Sequence, residues 1–374
     1  MSRVKVLCVA GARPNFMKIA PLIHSMAQSS HLSGLVVHTG QHYDREMSSV
    51  FFEDLGIPEP LINLGVGSGS RETQIDKIMD KFAPVVTEQR PGLVLVVGDV
   101  NSTIACARVA RSQGVPVAHV EAGLRSFDSS MPEELNRVET DQVSDYLFVT
   151  EPSGMTNLAQ EGVPGKPFLV GNVMIDSLQR QLARARKSTV AESLGVAGAP
   201  FFVGTFHRPS NVDDPTRLNN VLQIIEYVAD HMPIVLPLHP RTRRSLDAFG
   251  LMERLMQHPS IRVCDPIGYI EFVSLLRSAV GVVTDSGGIQ EETTYLQTPC
   301  ITMRDNTERP ITVDVGSNIL AGTDPEAVKA AIDQVLSGRV KHARVPDLWD
   351  GHAADRIVEI LQRELVADRE GCER

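Results

Sequence analysis

The segment at residues 119–137 carries the side chains best suited to proton transfer. It reads HVEAGLRSFDSSMPEELNR and follows an apolar run at 115–120. Its charged residues are crowded into a short stretch: Glu121, Arg125, Asp128, Glu133, Glu134 and Arg137. Carboxylates this close repel one another when ionised, so we expect one of them to hold a proton and to serve as an acid or a base. The alternative is a solvated loop that only caps the following helix.

A second polar segment, GARPNFMK at residues 11–18, follows the first apolar run. Gly11 permits a sharp turn, Pro14 marks a helix start, and Arg13 and Lys18 flank that start. A helix N-terminus with two added cations is a natural phosphate site. A plain turn with two surface cations is the other interpretation. A GxGxxG pattern is absent, which argues against a nicotinamide dinucleotide.

Single charged residues follow two other apolar runs. Asp99 lies in GDVNST, where it precedes a helix that Asn101 or Ser102 can cap. His207 lies in TFHRPSN, where an imidazole can give a proton or a hydrogen bond to a leaving group near neutral pH. His239, in LHPRT, is a weaker candidate of the same kind. Helix capping and surface exposure explain these residues equally well when each is taken alone.

The segment TDSGGIQEE, residues 284–292, has the form of a phosphate-binding turn. Ser286, Gly287 and Gly288 would present backbone N–H groups at a helix start to a pyrophosphate. Glu291 or Glu292, one turn later, can accept hydrogen bonds from both hydroxyls of a ribose. The downstream segment RDNTERP adds further charges: Arg304, Glu308 and Arg309. The lysine of a P-loop is missing, so we expect a nucleoside diphosphate site and no triphosphate hydrolysis.

Composition limits the class of protein. The chain has 374 residues, 42% hydrophobic and 22% charged, which is typical of a soluble protein with two domains. A net charge of -10 disfavours nucleic acid and anionic membranes as partners, and no apolar run approaches the ~20 residues of a membrane span. The five cysteines are scattered without a CxxC pair, which disfavours zinc and disulfides and indicates the cytoplasm.

Two series of apolar runs alternate with helical patterns. Predicted strands of the first series lie at 4–10, 35–39, 93–97, 115–120, 146–150 and 168–170, and those of the second at 201–204, 234–238, 261–263, 280–284 and 300–303. We therefore expect an α/β protein with Rossmann-like domains at 1–176 and 177–352, and a final helix at 353–374 that crosses back onto the first domain. Two doubly wound domains joined in this way imply a deep cleft with ligand groups from both sheets.

Taken together, the polar segments resemble the UDP-N-acetylglucosamine 2-epimerase family. The motifs run in order from about Gly11 to about Thr323: GARPNFMKIAPLI, TGQHYD, GDVNST, HVEAGLRSFD, MPEELNR, GNVMID, TFHRPSN, HPRT, TDSGGIQEE and TERP. The chain is most similar to the non-hydrolysing bacterial members, which interconvert UDP-GlcNAc and UDP-ManNAc. The resemblance implies the GT-B architecture, an isomerase that acts on a UDP-sugar without cofactor or metal, and a homodimer.

The resemblance also implies roles for individual residues. UDP would lie in the second domain, with the pyrophosphate at Ser286, Gly287 and Gly288, the ribose at Glu292 and the uracil at Phe272. The diphosphate or the sugar would be held by Arg13, Lys18, His207 and Arg309. The family's catalytic carboxylates match Asp99, Glu121 and Glu133, and its histidine that assists the departure of UDP matches His207. An allosteric UDP-GlcNAc site of some members matches Gln41 and His42.

Two departures from the family pattern leave the substrate and its regulation open. Many members read RPEAIK where this chain reads RPNFMK, which brings in Asn15 and Phe16. Many read QHREML where this chain has Tyr43 and Asp44 after QH. These changes leave allosteric activation open and leave room for a modified sugar, such as a 2,3-diacetamido uronic acid.

Three other functions are compatible with the same fold. A hydrolysing epimerase would release free ManNAc and UDP. A GT-B glycosyltransferase would need an acceptor, and the acidic residues Asp99, Glu121 and Glu133 argue against it. A catalytically silent sensor of nucleotide sugars would be expected to lack one of these carboxylates, and all three are present.

Overall fold

The structure, a computed structural model, describes residues 3–40, 52 and 55–372, with backbone only for residue 13 and for 366–372. These residues form two parallel sheets with helices between the strands, so the predicted α/β class with two Rossmann-like domains of the GT-B type is confirmed. The chain divides into two compact units. The first comprises Met1–Ser177 with Asp347–Arg374, and the second comprises Leu178–Pro346.

In the first unit, seven described strands form one sheet in the order β3-β2-β1-β4-β5-β6-β7. Every described pair of neighbours is parallel, and the strands are β1 Val4–Ala10, β2 Leu32–His38, β3 Ile62–Asn63, β4 Leu93–Val97, β5 Val117–Ala122, β6 Tyr146–Val149 and β7 Lys166–Leu169. Strands β4, β5 and β6 are buried along their whole length, as expected for apolar runs covered by helices on both faces. The strand order reverses between β1 and β4, which is where doubly wound sheets bind ligands.

In the second unit, six described strands repeat this arrangement in the order β10-β9-β8-β11-β12-β13. They are also parallel and comprise β8 Phe202–Thr205, β9 Ile234–Pro237, β10 Ile261–Cys264, β11 Gly281–Thr284, β12 Cys300–Thr302 and β13 Asn318–Leu320. Here the order reverses between β8 and β11, so the segments after these two strands share one edge of the sheet.

Amphipathic helices cover both sheets. Those of the first unit are α1 Arg13–Ala27, α2 Arg71–Gln89, α3 Asn101–Ser112, α4 Pro132–Val143, α5 Pro152–Gln160 and α6 Val173–Ala185, which continues into the second unit. Those of the second unit are α7 Val190–Ser193, α8 Pro209–Val212, α9 Pro215–Ala229, α10 Pro240–Ala248, α11 Met252–Gln257, α12 Tyr269–Ser278, α13 Gly287–Leu296, α14 Pro310–Asp314 and α15 Pro325–Leu336. The last helix, α16 Ala353–Cys372, belongs to the first unit.

The apolar runs located most strands to within a few residues, but two short strands were missed. Strand β3 has two residues and β13 has three. Runs this short carry too little apolar periodicity to be recognised. Among the described residues, no helix combines the length and the apolar character needed to cross a bilayer.

Helix α16 is attached to the first unit by a buried cap. The Asp176 carboxylate accepts hydrogen bonds from the backbone N–H groups of Ala353 and Ala354, at 3.2 and 2.7 Å. A carboxylate at a helix N-terminus satisfies donors that the helix itself cannot, and it matches the positive end of the helix dipole. Just before this helix, the buried Trp349 donates its indole N–H to the carbonyl oxygen of Thr150 at 3.2 Å.

We predict that Asp176→Ala lowers the free energy of unfolding of the first unit by about 1–2 kcal/mol, because two buried N–H groups lose their acceptor. Urea unfolding followed by the fluorescence of Trp349, the one tryptophan of the chain, measures the change. The matched control is Asp355→Ala, since Asp355 is an exposed acidic residue of the first turn of α16. The control should change stability by less than about 0.5 kcal/mol, and equal losses in both variants would contradict the capping role.

Candidate functional site

The carboxyl end of β5 has an irregular backbone at Glu121. The pairing of β5 with β6 shifts register between Val120 and Ala122, and Glu121 has a φ of 71°. A residue with a side chain rarely adopts this left-handed conformation, and such strain concentrates at functional sites. A bulge re-aims the side chain relative to a regular strand. The backbone therefore gives Glu121 a direction that an ordinary strand end would not.

Glu121 forms a buried ion pair with a cation from α1. The Nζ atom of Lys18 lies 2.5 Å from Oε2 of Glu121, and the two side chains are 9% and 3% exposed. The other carboxylate oxygen, Oε1, is buried and has no hydrogen-bond partner among the residues that the structure describes. Leaving a buried polar oxygen unpaired costs roughly 1–3 kcal/mol, so this oxygen is a candidate contact for a ligand.

Gly98, directly after β4, leaves the space that this ion pair occupies. Its φ is +65°, and a Cβ atom there would lie 2.8 Å from Nζ of Lys18 and 3.5 Å from Oε2 of Glu121. Asn15 holds the neighbouring turn: its Oδ1 accepts from the N–H groups of Gly11 and Ala12, and its Nδ2 donates to the carbonyl of Val97. Asn15 is therefore used to fix the backbone.

Asp99 is held beside the same strand end by a cation from α4. Arg137 Nη2 lies 2.6 Å from Oδ2 of Asp99, and Nη1 of the same guanidinium lies 2.6 Å from Oε2 of Glu134. The Asp99 side chain remains 24% exposed. Asn136 donates to the Asp99 carbonyl at 2.9 Å, so the backbone at this position is fixed as well.

The two adjacent glutamates of PEE differ in their surroundings. Glu134 is buried and accepts hydrogen bonds from the backbone N–H groups of Ser126 and Phe127. Glu133 is exposed in the first turn of α4 and makes no hydrogen bond or ion pair with the residues that the structure describes. Sequence reasoning expected mutual repulsion among these acids, but Lys18 and Arg137 offset it.

A second buried network, which the sequence analysis missed, supports the loop after β5. His119 Nδ1 lies 2.7 Å from Oδ1 of Asp141, and its Nε2 lies 2.9 Å from the carbonyl oxygen of Gly98. Arg125 Nη2 lies 2.7 Å from Oδ2 of Asp141. Burial raises the pKa of Asp141, but His119 and Arg125 more than offset this and hold it below its usual value. Polar residues inside an apolar strand, such as His119, were the available signal.

In the second unit, His207 lies beside an aspartate that follows β11. Nδ1 of His207 is 3.0 Å from Oδ1 of Asp285, and the backbone N–H of His207 also points to this carboxylate. The backbone N–H of Arg208 and the Nδ2 of Asn211 donate to Oδ2 at 3.0 and 3.1 Å. Sequence reasoning missed Asp285, although it follows an apolar run, as Asp99 does.

His239 lies next to His207, with 5.4 Å between the ring centroids. Its Nδ1 accepts a hydrogen bond from the N–H of Arg241 and so caps α10. Burial and the nearby positive charges of His207 and Arg241 lower the pKa of His239 below its usual value. His239 is therefore a neutral ring with Nε2–H as its donor.

The start of α13 has the open form expected of a phosphate-binding turn. Ser286 is the N-cap residue, and its side chain makes no capping hydrogen bond. A Cβ atom on Gly288 would meet nothing within 4 Å, whereas one on Gly287 would lie 2.6 Å from Oε1 of Glu308 and 2.9 Å from Nη1 of Arg309. The turn is thus open on one side and packed on charged groups on the other.

Arg309 takes part in a buried chain of alternating charges below this turn. Its Nε lies 2.7 Å from Oε1 of Glu291, and its Nη1 also contacts Glu308. Glu308 in turn lies 2.8 Å from Nη2 of Arg304. The structure therefore places Arg309 against two carboxylates behind the glycine turn.

Glu292 is a buried carboxylate with few donors. Burial and the charge of Glu291 raise its pKa to about 7, against the opposing effect of the Tyr269 hydroxyl. That hydroxyl is buried and makes no hydrogen bond of ordinary geometry with the described residues. Phe272, on α12, is half-buried and packs against the apolar cluster of this unit.

The remaining predicted site residues cannot be placed. Gln41 and His42 lie outside the described residues, as does the side chain of Arg13. Within the described part of the chain, no group of three or more His, Cys, Asp or Glu side chains is arranged to hold a metal ion.

Comparisons with known proteins agree on one family. A family model described as UDP-N-acetylglucosamine 2-epimerase matches residues 24–362. A crystal structure of the Methanocaldococcus jannaschii UDP-GlcNAc 2-epimerase, in complex with UDP-GlcNAc and UDP, is 39% identical with a TM-score of 0.88 and covers 96% of this chain and 99% of that chain.

Two further proteins are similar over nearly the whole chain. The UDP-GlcNAc 2-epimerase of Neisseria meningitidis, bound to UDP-GlcNAc, is 30% identical with a TM-score of 0.86, covering 96% of this chain and 100% of that chain. A Pseudomonas aeruginosa protein named UDP-2,3-diacetamido-2,3-dideoxy-D-glucuronate 2-epimerase is 40% identical over 365 residues, which is 96% of this chain and 100% of that protein.

We predict that Gly98→Ala destabilises the first unit by about 2–3 kcal/mol, because the new methyl group adds a clash with Lys18 to the cost of the left-handed backbone. The control is Gly114→Ala, where φ is +72° and nothing lies within 4 Å of the added carbon. The control should cost only about 1 kcal/mol. Urea unfolding of both variants measures the difference, and equal losses would show that Gly98 is not needed to make room for the ion pair.

Proposed function

Because the chain belongs to the UDP-N-acetylglucosamine 2-epimerase family, we propose that it interconverts UDP-GlcNAc and UDP-ManNAc without net hydrolysis. Membership in this family makes the protein an isomerase of UDP-sugars. The observation that carries the proposal is the carboxylate of Glu121, which has one oxygen at Lys18 and the other buried without a partner among the described residues. A base that removes hydrogen from carbon needs such an uncommitted oxygen within reach of its substrate.

The proposed reaction needs both a base and an acid. A carboxylate takes the proton from C2 of the sugar, the electron pair of the C–H bond forms a C1–C2 double bond, and the C1–O bond to UDP breaks. The intermediates are 2-acetamidoglucal and UDP. Re-addition of UDP to C1, with a proton delivered to the other face of C2, gives the epimer. We propose that Asp99, Glu121 and Glu133 supply these proton transfers, with Glu121 as the first candidate for the base.

The second unit supplies the groups proposed to bind UDP. The pyrophosphate would contact the backbone at Ser286, Gly287 and Gly288, where the open side of the turn supports access. The ribose would contact Glu292 and the uracil Phe272. Arg13 and His207 remain proposed contacts of the diphosphate or the sugar. The partners of Lys18 and Arg309 favour a role for these two cations in fixing Glu121 and the glycine turn.

A modified sugar is the second candidate substrate. The relative from Pseudomonas aeruginosa, whose name specifies a 2,3-diacetamido glucuronate, is 40% identical to this chain and favours it. Asn15, one of the departures from the common family pattern, hydrogen-bonds the backbone, so its side chain offers no argument for either sugar.

The state and location of the protein belong to the same proposal. We propose a homodimer in the cytoplasm, supported by the family resemblance and by the free, scattered cysteines of the described part of the chain. Allosteric activation through Gln41 and His42 stays a prediction, since these residues lie outside the described part of the chain.

We predict that the protein exchanges the C2 hydrogen of its substrate for deuterium in D2O, and that Glu121→Gln and Asp99→Asn reduce this exchange at least about 100-fold while UDP still binds. Proton NMR with UDP-GlcNAc, UDP-ManNAc and the UDP-2,3-diacetamido uronic acid measures exchange and epimerisation together. Glu88→Gln, an exposed carboxylate on α2, is the control and should exchange at the wild-type rate.

The same experiment distinguishes the other functions. Free UDP that accumulates in step with turnover would indicate a hydrolysing epimerase. A wild-type protein that neither exchanges nor epimerises any of these sugars would refute the proposal.

We also predict that the affinity for UDP rises with pH up to about 7 and then levels off. Glu292 has a pKa of about 7 in the free protein and must be ionised to accept hydrogen bonds from both ribose hydroxyls. Binding of UDP below pH 7 therefore releases a proton. The affinity that this residue contributes falls by up to about tenfold for each pH unit below 7. Titration calorimetry at several pH values measures the affinity for UDP. The variant Glu292→Gln shows how much of the pH dependence of the affinity comes from the titration of UDP alone. An identical pH dependence in this variant and in the wild type would contradict the role of Glu292.

A further inference from the structure

The carboxylate of Asp285 accepts several hydrogen bonds beside the proposed UDP site. It is fully buried at the end of β11, directly before the glycine turn. It accepts from the backbone N–H groups of His207 and Arg208 and from the amide of Asn211. These three donors come from the single segment that follows β8. A buried carboxylate with this many donors is held in one orientation.

One further contact of this carboxylate is with an imidazole ring. Nδ1 of His207 lies 3.0 Å from Oδ1 of Asp285, whereas Nε2 makes no hydrogen bond with the described residues, and the side chain is 41% exposed. A carboxylate at Nδ1 fixes the tautomer with the proton on Nδ1 and leaves Nε2 to react. Since Ser286 and Gly287 follow Asp285 directly, the ring lies in the same unit as the turn proposed to bind the pyrophosphate.

We propose that Asp285 is a positioning residue for His207: it holds Nδ1–H and thereby presents Nε2 to the diphosphate oxygen that leaves C1. The proposal rests on the proposed function and assigns no contact with substrate to Asp285. In the forward step, protonated Nε2 gives its proton to the oxygen that bridges C1 and phosphorus, while the C1–O electron pair moves to that oxygen. His207 becomes neutral with its proton on Nδ1, and Asp285 remains ionised throughout.

The charges around His207 favour this arrangement. His239 faces the ring from the end of β9 and is neutral, so it adds no positive charge that would oppose protonation of His207. Arg208 directs its Nε to the backbone carbonyl of Asp285, and Arg241 is paired with Asp213 at 3.1 Å. Among the described residues, Asp285 is thus the carboxylate that contacts the His207 ring.

The competing explanation is that Asp285 only anchors the loop after β8. Its hydrogen bonds to the backbone of His207 and Arg208 would then account for its burial, and Nδ1 would be close by coincidence. The two explanations differ in what they predict for the ring: an anchor leaves the tautomer of His207 free, whereas a positioning carboxylate fixes it.

The first test needs no change at Asp285 and no substrate. Nitrogen-15 NMR of histidine-labelled protein, with the His207 signals assigned by their loss in His207→Asn, reports which ring nitrogen carries the proton when the ring is neutral. We expect the Nδ1–H form, in contrast to the Nε2–H form that predominates in free histidine. A neutral His207 with its proton on Nε2 would overturn the proposal even if the enzyme is active.

The second test is a double-mutant cycle on turnover. We expect Asp285→Asn to lower kcat about 10- to 100-fold and to change KM little. If Asp285 acts through His207, then His207→Asn combined with Asp285→Asn is no slower than His207→Asn alone. Multiplicative losses in the double variant would show that Asp285 acts independently of the ring.

Asn211→Ser is the matched control for the anchoring role. Asn211 donates to the same carboxylate and to the carbonyl of Met303, but it does not contact the ring. We expect this variant to be less stable and to keep the Nδ1–H form and the wild-type pH profile. A protein that epimerises no UDP-sugar would refute the proposed function, while the NMR result would still decide whether Asp285 positions His207.

Discussion

Both sheets reverse their strand order beside their first strand, and this constraint places several of the proposed functional groups at one edge of each sheet. The reversal between β1 and β4 leaves an edge where Lys18 and Asn15 of α1 lie beside Gly98. The reversal between β8 and β11 does the same for His207 and Asp285. The carboxyl ends of parallel strands lie at one edge of the sheet. The topology alone therefore brings residues that are far apart in sequence close together at that edge. The bulge at Glu121 then adjusts a single side chain within this frame.

The two units place different kinds of polar groups at these edges. In the first, carboxylates are matched with cations, as in the pairs Lys18–Glu121 and Arg137–Asp99. Such pairs stabilise negative charge in a setting where it would otherwise be costly, and they fix its direction. In the second, the glycine turn offers backbone donors, and its cation Arg309 is turned towards carboxylates. Carboxylates suit proton transfer at carbon, and backbone donors suit binding of a diphosphate, so the division agrees with the proposed reaction.

The sequence predicted the strands and the sheet edges better than the side-chain contacts at those edges. Apolar runs located the long strands, and the polar segments after them located both edges, because a strand end is visible in the chain itself. The missed residues depend on partners distant in sequence: His119 pairs with Asp141, and Asp285 pairs with His207. Which glutamate of the pair Glu133 and Glu134 faces inward depends on where α4 begins, and sequence locates helix starts least well. The left-handed conformation of Glu121 has no sequence signal, because glycine is the residue expected there.

Two buried carboxylates of the second unit show that donors, more than burial, decide what an acid can do. Asp285 and Glu292 are both removed from solvent, which raises the pKa of each. Around Asp285, donors from His207, Arg208 and Asn211 reverse the effect and hold the pKa below its usual value. Glu292 lies near the hydroxyl of Tyr269, which lowers its pKa, and near the like charge of Glu291, which raises it. With burial, the net result is a pKa raised to about 7. A carboxylate that remains charged can orient a histidine through a reaction cycle. A carboxylate that titrates near neutral pH can exchange its proton for the hydroxyls of a ligand, so the two acids suit opposite tasks within one unit.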